Sequence, residues 1–94
     1  MSIGLVAFHY PKPEFRDEMI QRVHAAARAL AEVPGCLGVH CWETVETGAI
    51  VTSGTWESDE ARQAGSATAK EAGVDFAYDD RQLRPWDVFH LSPV

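Results

Sequence analysis

The sequence predicts an α+β domain in which an antiparallel sheet carries two helices, and three observations lead there. Short apolar runs rich in β-branched and aromatic residues open and close the chain, at Ile3 to Tyr10 and at Pro85 to Leu91. The stretch from Pro34 to Trp56 reads as a β-hairpin with both strands and its turn in view. Between these segments lie two stretches with helical spacing and helix start signals. The order strand, helix, strand, strand, helix, strand is the split βαβ arrangement of a ferredoxin-like fold, here a single domain spanning residues 1–94.

Each element has its own justification. The first strand ends hard at Pro11-Lys12-Pro13. From Glu14 the spacing turns helical, with Phe15, Met19, Val23, Ala26 or Ala27 and Leu30 on one stripe and acids in the first turn, and Pro34-Gly35 closes it. In the hairpin, Val45-Glu46-Thr47-Gly48 fits a three-residue loop closed by a glycine at φ > 0, which sets Val45 opposite Ala49. That register puts Gly38, His40, Trp42, Ile50, Thr52, Gly54 and Trp56 on one face, where two glycines beside large rings would form a hollow. Ser58 is the expected N-cap of the second helix. The body of that helix, Ala61 to Ala72, has almost no large apolar residue, so it must lie very close to what it covers or be loosely held. Val74 to Leu83 is either a short helix or an ordered loop anchored by Phe76 and Tyr78.

Both helices are expected on one sheet face, and the apolar alternation of the other face calls for a cover. A second copy of the same sheet supplies it, so a homodimer is expected. A net charge of −6 without a basic cluster argues against nucleic acid and anionic membranes as partners. No apolar run approaches the roughly 20 residues of a membrane-spanning helix, and no positive region precedes the first strand. Cys36 and Cys41, on opposite faces of one strand and about 16 Å apart at about 3.3 Å per residue, cannot form a disulfide with each other. A reducing, cytoplasmic location follows from this reading.

Two segments carry a family resemblance. Val33-Pro34-Gly35-Cys36-Leu37-Gly38 at the entry to the second strand, and Thr55-Trp56-Glu57-Ser58-Asp59-Glu60-Ala61 after the third, resemble the antibiotic biosynthesis monooxygenase type of dimeric α/β barrel. The element order agrees over nearly the whole chain. The resemblance implies a ferredoxin-like subunit that pairs into a barrel, and a tryptophan at the position of Trp56 lining a ligand cavity. For the branch that oxidises aromatic polyketides without flavin, haem or metal, it also implies an Arg and a Tyr after the second helix, for which Arg81 and Tyr78 are the nearby candidates. The haem-degrading branch carries an asparagine near the end of the first strand and a histidine on the second helix. This chain has no asparagine, and no histidine from Ala61 to Ala72.

The functional expectation is therefore a cofactor-independent monooxygenase-like enzyme acting on a small aromatic or polyphenolic compound. His40 is the candidate base or hydrogen-bond partner, since an imidazole suits proton transfer near neutral pH, and Trp56 is placed beside it at the catalytic position. Trp42, Thr52, Tyr78 and Arg81 are candidate substrate contacts. Each has a plainer reading: His40 as a buried, hydrogen-bonded strand histidine, the tryptophans as core or interface residues, and Arg81 as a partner of Asp79 or Asp80. The spacing of the four histidines resembles no metal-ligand set, and neither a metal nor a cofactor is expected. Two alternatives stay open, a non-catalytic dimeric small-molecule binder and a cofactor-free isomerase or cyclase.

Overall fold

A computed structural model describes residues 2–71 and 78–94. Strands β1 (Ile3–His9), β2 (Cys36–Glu43), β3 (Ile50–Trp56) and β4 (Asp87–Leu91) form one sheet in the order β2-β3-β1-β4, every neighbour antiparallel. Helix α1 (Arg16–Ala31) follows a short 3-10 turn at Pro13–Phe15, and α2 (Asp59–Glu71) connects β3 towards β4. This is the ferredoxin-like α+β arrangement that the element order predicts. Of the segment expected as a helix or ordered loop, residues 74–77, Phe76 included, lie outside the described residues.

Local chemistry explains the helices. Met19, Val23 and Ala26 fall at i, i+4 and i+7 and are the buried residues of α1, while Asp17 and Glu18 occupy the positive end of its dipole. Ser58 caps α2 as expected, its Oγ accepting the Ala61 N–H at 3.1 Å. Met19 and Val23 pack on Ile50 of β3, with Ile20 and Cys41 against them. Helix α2 makes its closest approach at Gly65, where an added Cβ would stand 2.8 Å from Cζ3 of Trp56 and nearer still to Cη2. The indole can occupy that place only because position 65 has no side chain.

The hairpin departs from expectation by one residue. Thr44, not Val45, faces Ala49: the Thr44 N–H donates to the Ala49 carbonyl at 2.9 Å and the Gly48 N–H to the Thr44 carbonyl at 2.7 Å. The loop therefore has four residues, 45–48, with Gly48 in the left-handed region at φ 74° as its sequence position suggests. Side chains hold this longer loop. Thr44 Oγ1 accepts the Ala49 N–H at 2.9 Å and bonds Thr47 Oγ1 at 2.5 Å, and Arg16 Nη1 donates to the Gly48 carbonyl at 2.5 Å.

A one-residue slip turns a strand's side chains over relative to its partner. Trp42 pairs with Val51 and His40 with Ser53, whereas Cys41 pairs with Thr52 and Val39 with Gly54. A register shift between Cys36 and Gly38 then brings Cys36 opposite Trp56. The two cysteines thus pair with residues on a single face of β3, contrary to the opposite faces expected, and both are free thiols. Most important for function, Thr52 and Trp56 are separated from His40 and Trp42 by the thickness of the sheet.

Candidate functional site

The helix-covered face carries the candidate site. Along β1, the residues that share a face with Ile50, Thr52, Gly54 and Trp56 are His9, Ala7, Leu5 and Ile3. Between this face and the two helices lies a cavity of about 730 Å³, within the range of small-molecule sites. Leu5, Ala7, His9, Val39, Thr52 and Trp56 form its floor; Val23, Ala26, Ala27 and Leu30 of α1 form one wall. Arg62, Ser66, Ala69 and Lys70 of α2 form the other, and Trp86 closes the His9 end. Alanines at 26, 27 and 69 explain why there is space at all: a helix lined with methyl groups cannot fill the gap above a sheet.

His9 is the chemically distinctive side chain here. It is 1% exposed, and its ring stacks on Trp86 with centroids 5.3 Å apart and planes within 18°. Burial, and secondarily the positive charge of Arg22, pushes its pKa from 6.5 down to about 4. The imidazole is therefore neutral at pH 7, able both to accept and to donate a hydrogen bond. His9 is not among the residues expected at the site, where His40 is the candidate base. The available signal was the alternation of the first strand, which gives His9 the same parity as Ala7 and Leu5.

The residues expected at the site separate into three places. Trp56, 3% exposed, and Thr52 line the cavity. His40 and Trp42 lie together on the opposite face, their rings 6.1 Å apart and Trp42 61% exposed with its Nε1 donating to Ser53 Oγ at 3.2 Å. The expected His40–Trp56 pairing is thus overturned by the register. Tyr78 is exposed rather than an anchor. Arg81 is held by Asp79, Nη2 to Oδ2 at 2.6 Å, and by Glu18. The segment that carries it is stitched to the end of β1 by Lys12 N–H to Arg81 carbonyl (2.9 Å) and Leu83 N–H to Tyr10 carbonyl (2.7 Å). Neither Tyr78 nor Arg81 is part of the cavity wall.

The sequence profile of the antibiotic biosynthesis monooxygenase family matches residues 2–70, from the first strand to the last turn of α2. The chain belongs to that family. The matched span contains His9, Thr52, Trp56 and Arg62 of the cavity, while Trp86 lies beyond it. Among solved structures, the chain is similar to Rv0793 from Mycobacterium tuberculosis, with a TM-score of 0.89 and 18% identity over 100% of this chain and 96% of that one. It is similar to an antibiotic biosynthesis monooxygenase at TM-score 0.83 and 18% identity, covering 98% of each chain. It also resembles a MhuD variant carrying two manganese protoporphyrin IX molecules per active site, at TM-score 0.77 and 21% identity over 98% of this chain and 94% of that one. At these identities the likeness is one of fold. No curated protein matches the chain significantly.

Proposed function

We propose that this member of the antibiotic biosynthesis monooxygenase family oxidises a small aromatic or polyphenolic compound without a cofactor, in the cavity between sheet and helices. One observation carries the reading: a neutral, buried histidine stacked on a tryptophan in the wall of a chamber whose floor and α1 side are mainly apolar. Cofactor-free oxygenation needs a substrate that can become an electron-rich anion, a dry site, and a group to take its proton. For an anthrone-type substrate the balance closes without a reductant, since the methylene is oxidised to a carbonyl by one O2 with release of one water. His9 takes the proton, Thr52 offers a hydrogen bond, and Trp56 and Trp86 bound the aromatic plane. A substrate anion would counter the desolvation that keeps the imidazole neutral.

Among the described residues no three His, Cys, Asp or Glu side chains converge as a metal site. The haem-degrading pattern is likewise missing its histidine on α2, whose sequence is DEARQAGSATAKE. The open sheet face exposes Trp42, Phe89 and Leu91, with Phe8 and Phe89 in edge-to-face contact at 6.1 Å. A second copy packed there as a homodimer would cover these side chains. Two free cysteines suit a reducing cytoplasm, and among the described residues no helix is long and apolar enough to cross a membrane.

Oxygen uptake with an anthrone, measured above the spontaneous rate, tests the reading. His9→Ala should lower the rate by roughly 100-fold or more, the usual contribution of a positioned base. His40→Ala, on the other face, should leave it within about twofold of the parent on the geometry above. Loss of activity in His40→Ala with His9→Ala unaffected would overturn the assignment. Ligand binding without any turnover would favour the non-catalytic binder.

A further inference from the structure

The α2 wall of the cavity has the wrong composition for an inward helix stripe. Arg62, Ser66, Ala69 and Lys70 fall at i, i+4, i+7 and i+8, the spacing that ordinarily presents apolar side chains to a core. Here it presents two cations and a hydroxyl. The chain carries 14 acidic residues against 8 Lys and Arg, yet among the described residues the cavity lining holds Arg62 and Lys70 and not one Asp or Glu. Arg62 is only 18% exposed. Its Nε is engaged by Asp59 Oδ1 at 2.9 Å, and its two terminal nitrogens have no hydrogen-bond partner among the described residues. Lys70 likewise has no ion-pair partner among them. Their Cα atoms stand roughly 12 Å apart along the helix at about 1.5 Å per residue, with the Ser66 hydroxyl between.

We propose that the ligand of this cavity is an aromatic acid, its rings between Trp56 and the alanines of α1 and its carboxylate on the Arg62, Ser66 and Lys70 wall. The inference rests on the reading of this cavity as the ligand site and adds the charge of the ligand to it. A guanidinium already pinned through Nε offers its remaining N–H groups as a preset fork, which suits a carboxylate. The surrounding apolar surface strengthens that contact and gives nothing to a neutral analogue of equal shape.

Calorimetric titration with 2-naphthoate and 2-naphthamide, which share a ring system and differ by one charge, separates the two levels of the claim. The parent protein should bind naphthoate at least about tenfold more tightly, the scale of a hydrogen bond to a charged group. The Arg62→Gln, Lys70→Gln double variant should lose that preference while its naphthamide affinity stays within about twofold. Lys70→Gln alone, at an exposed helix position where folding is not at stake, should lose part of it. Equal affinity of the parent for both probes, or a preference that survives the double substitution, overturns the inference about charge and leaves the cavity reading standing. If neither probe binds, the cavity reading fails and the aromatic acid with it.

Discussion

His9 and Trp56 on one face of the sheet and His40 and Trp42 on the other are the same two residue types in opposite states. On the helix side, His9 and Trp56 are 1% and 3% exposed. On the open side, His40 is exposed and Trp42 is 61% exposed. Residue type therefore says little about role here. What separates the pairs is strand parity, and parity in this sheet is decided by one residue in the hairpin loop. The helix face has the desolvation that changes histidine chemistry. The open face has surface available for a partner.

The sharpest way to break this comparison is to truncate both tryptophans. Trp56→Ala should destabilise the chain by about 3–5 kcal/mol, as for a large buried side chain whose cavity cannot collapse, read by chemical denaturation. Trp42→Ala should act on association instead, weakening the proposed homodimer by about tenfold or more in sedimentation equilibrium. A Trp42→Ala chain that loses as much folding stability as Trp56→Ala, with its self-association unchanged, would reverse the two faces.

The histidines sharpen it next. His9 has its folded pKa lowered to about 4 from 6.5, so between those values the unfolded chain binds more protons than the folded one and stability rises with pH. The penalty is absent above about pH 6.5 and accumulates as pH falls, reaching about 3 kcal/mol near pH 4 at 1.36 kcal/mol per unit. Urea unfolding at pH 7 and pH 4 should show that loss in the parent, and His9→Leu should lack most of it.

Gly65 probes the packing of the helix face. An added methyl would overlap the Trp56 ring, and overpacking of this kind costs about 1–3 kcal/mol. Alanine gains roughly 1 kcal/mol in helix propensity over glycine. Gly65→Ala should nevertheless lower the midpoint, because the clash is with a rigid indole held between α2 and β3. A stabilised variant would mean that α2 lies further from the sheet.

How far the sequence carries is visible in the same residues. Apolar periodicity, Pro11-Lys12-Pro13, Pro34-Gly35 and the Ser58 cap define the elements and hence the fold, because each is a local signal whose meaning does not depend on distant contacts. The Trp56 position is legible twice, from its strand and from the residues around it. The pairing of strands is not local. Val45-Glu46-Thr47-Gly48 fits a three-residue loop in isolation, and Gly48 does take the positive φ that such a loop needs. What overrides it is a set of side-chain bonds from Thr44 and Arg16, the latter reaching from a helix distant in sequence. With the register goes the site: His40 leaves it, and His9 becomes apparent only when β1 is laid beside β3.

That makes Thr44 the smallest lever on the largest question. Its Oγ1 accepts the Ala49 N–H and bonds Thr47, so Thr44→Val removes both bonds while keeping the shape and β propensity of the side chain. Loss of the pair should cost about 1 kcal/mol, the net worth of an exposed turn hydrogen bond plus the partial burial of an orphaned N–H. The backbone bonds Thr44 to Ala49 and Gly48 to Thr44 remain, and with them the four-residue loop. Cross-strand nuclear Overhauser contacts between Cys41 and Thr52, and between Trp42 and Val51, should persist in the variant. If Thr44→Val instead brings Trp42 opposite Thr52, the three-residue loop is the intrinsic preference of the hairpin, and the threonine hydroxyl is what keeps His40 and Trp42 off the face that Trp56 shares with His9.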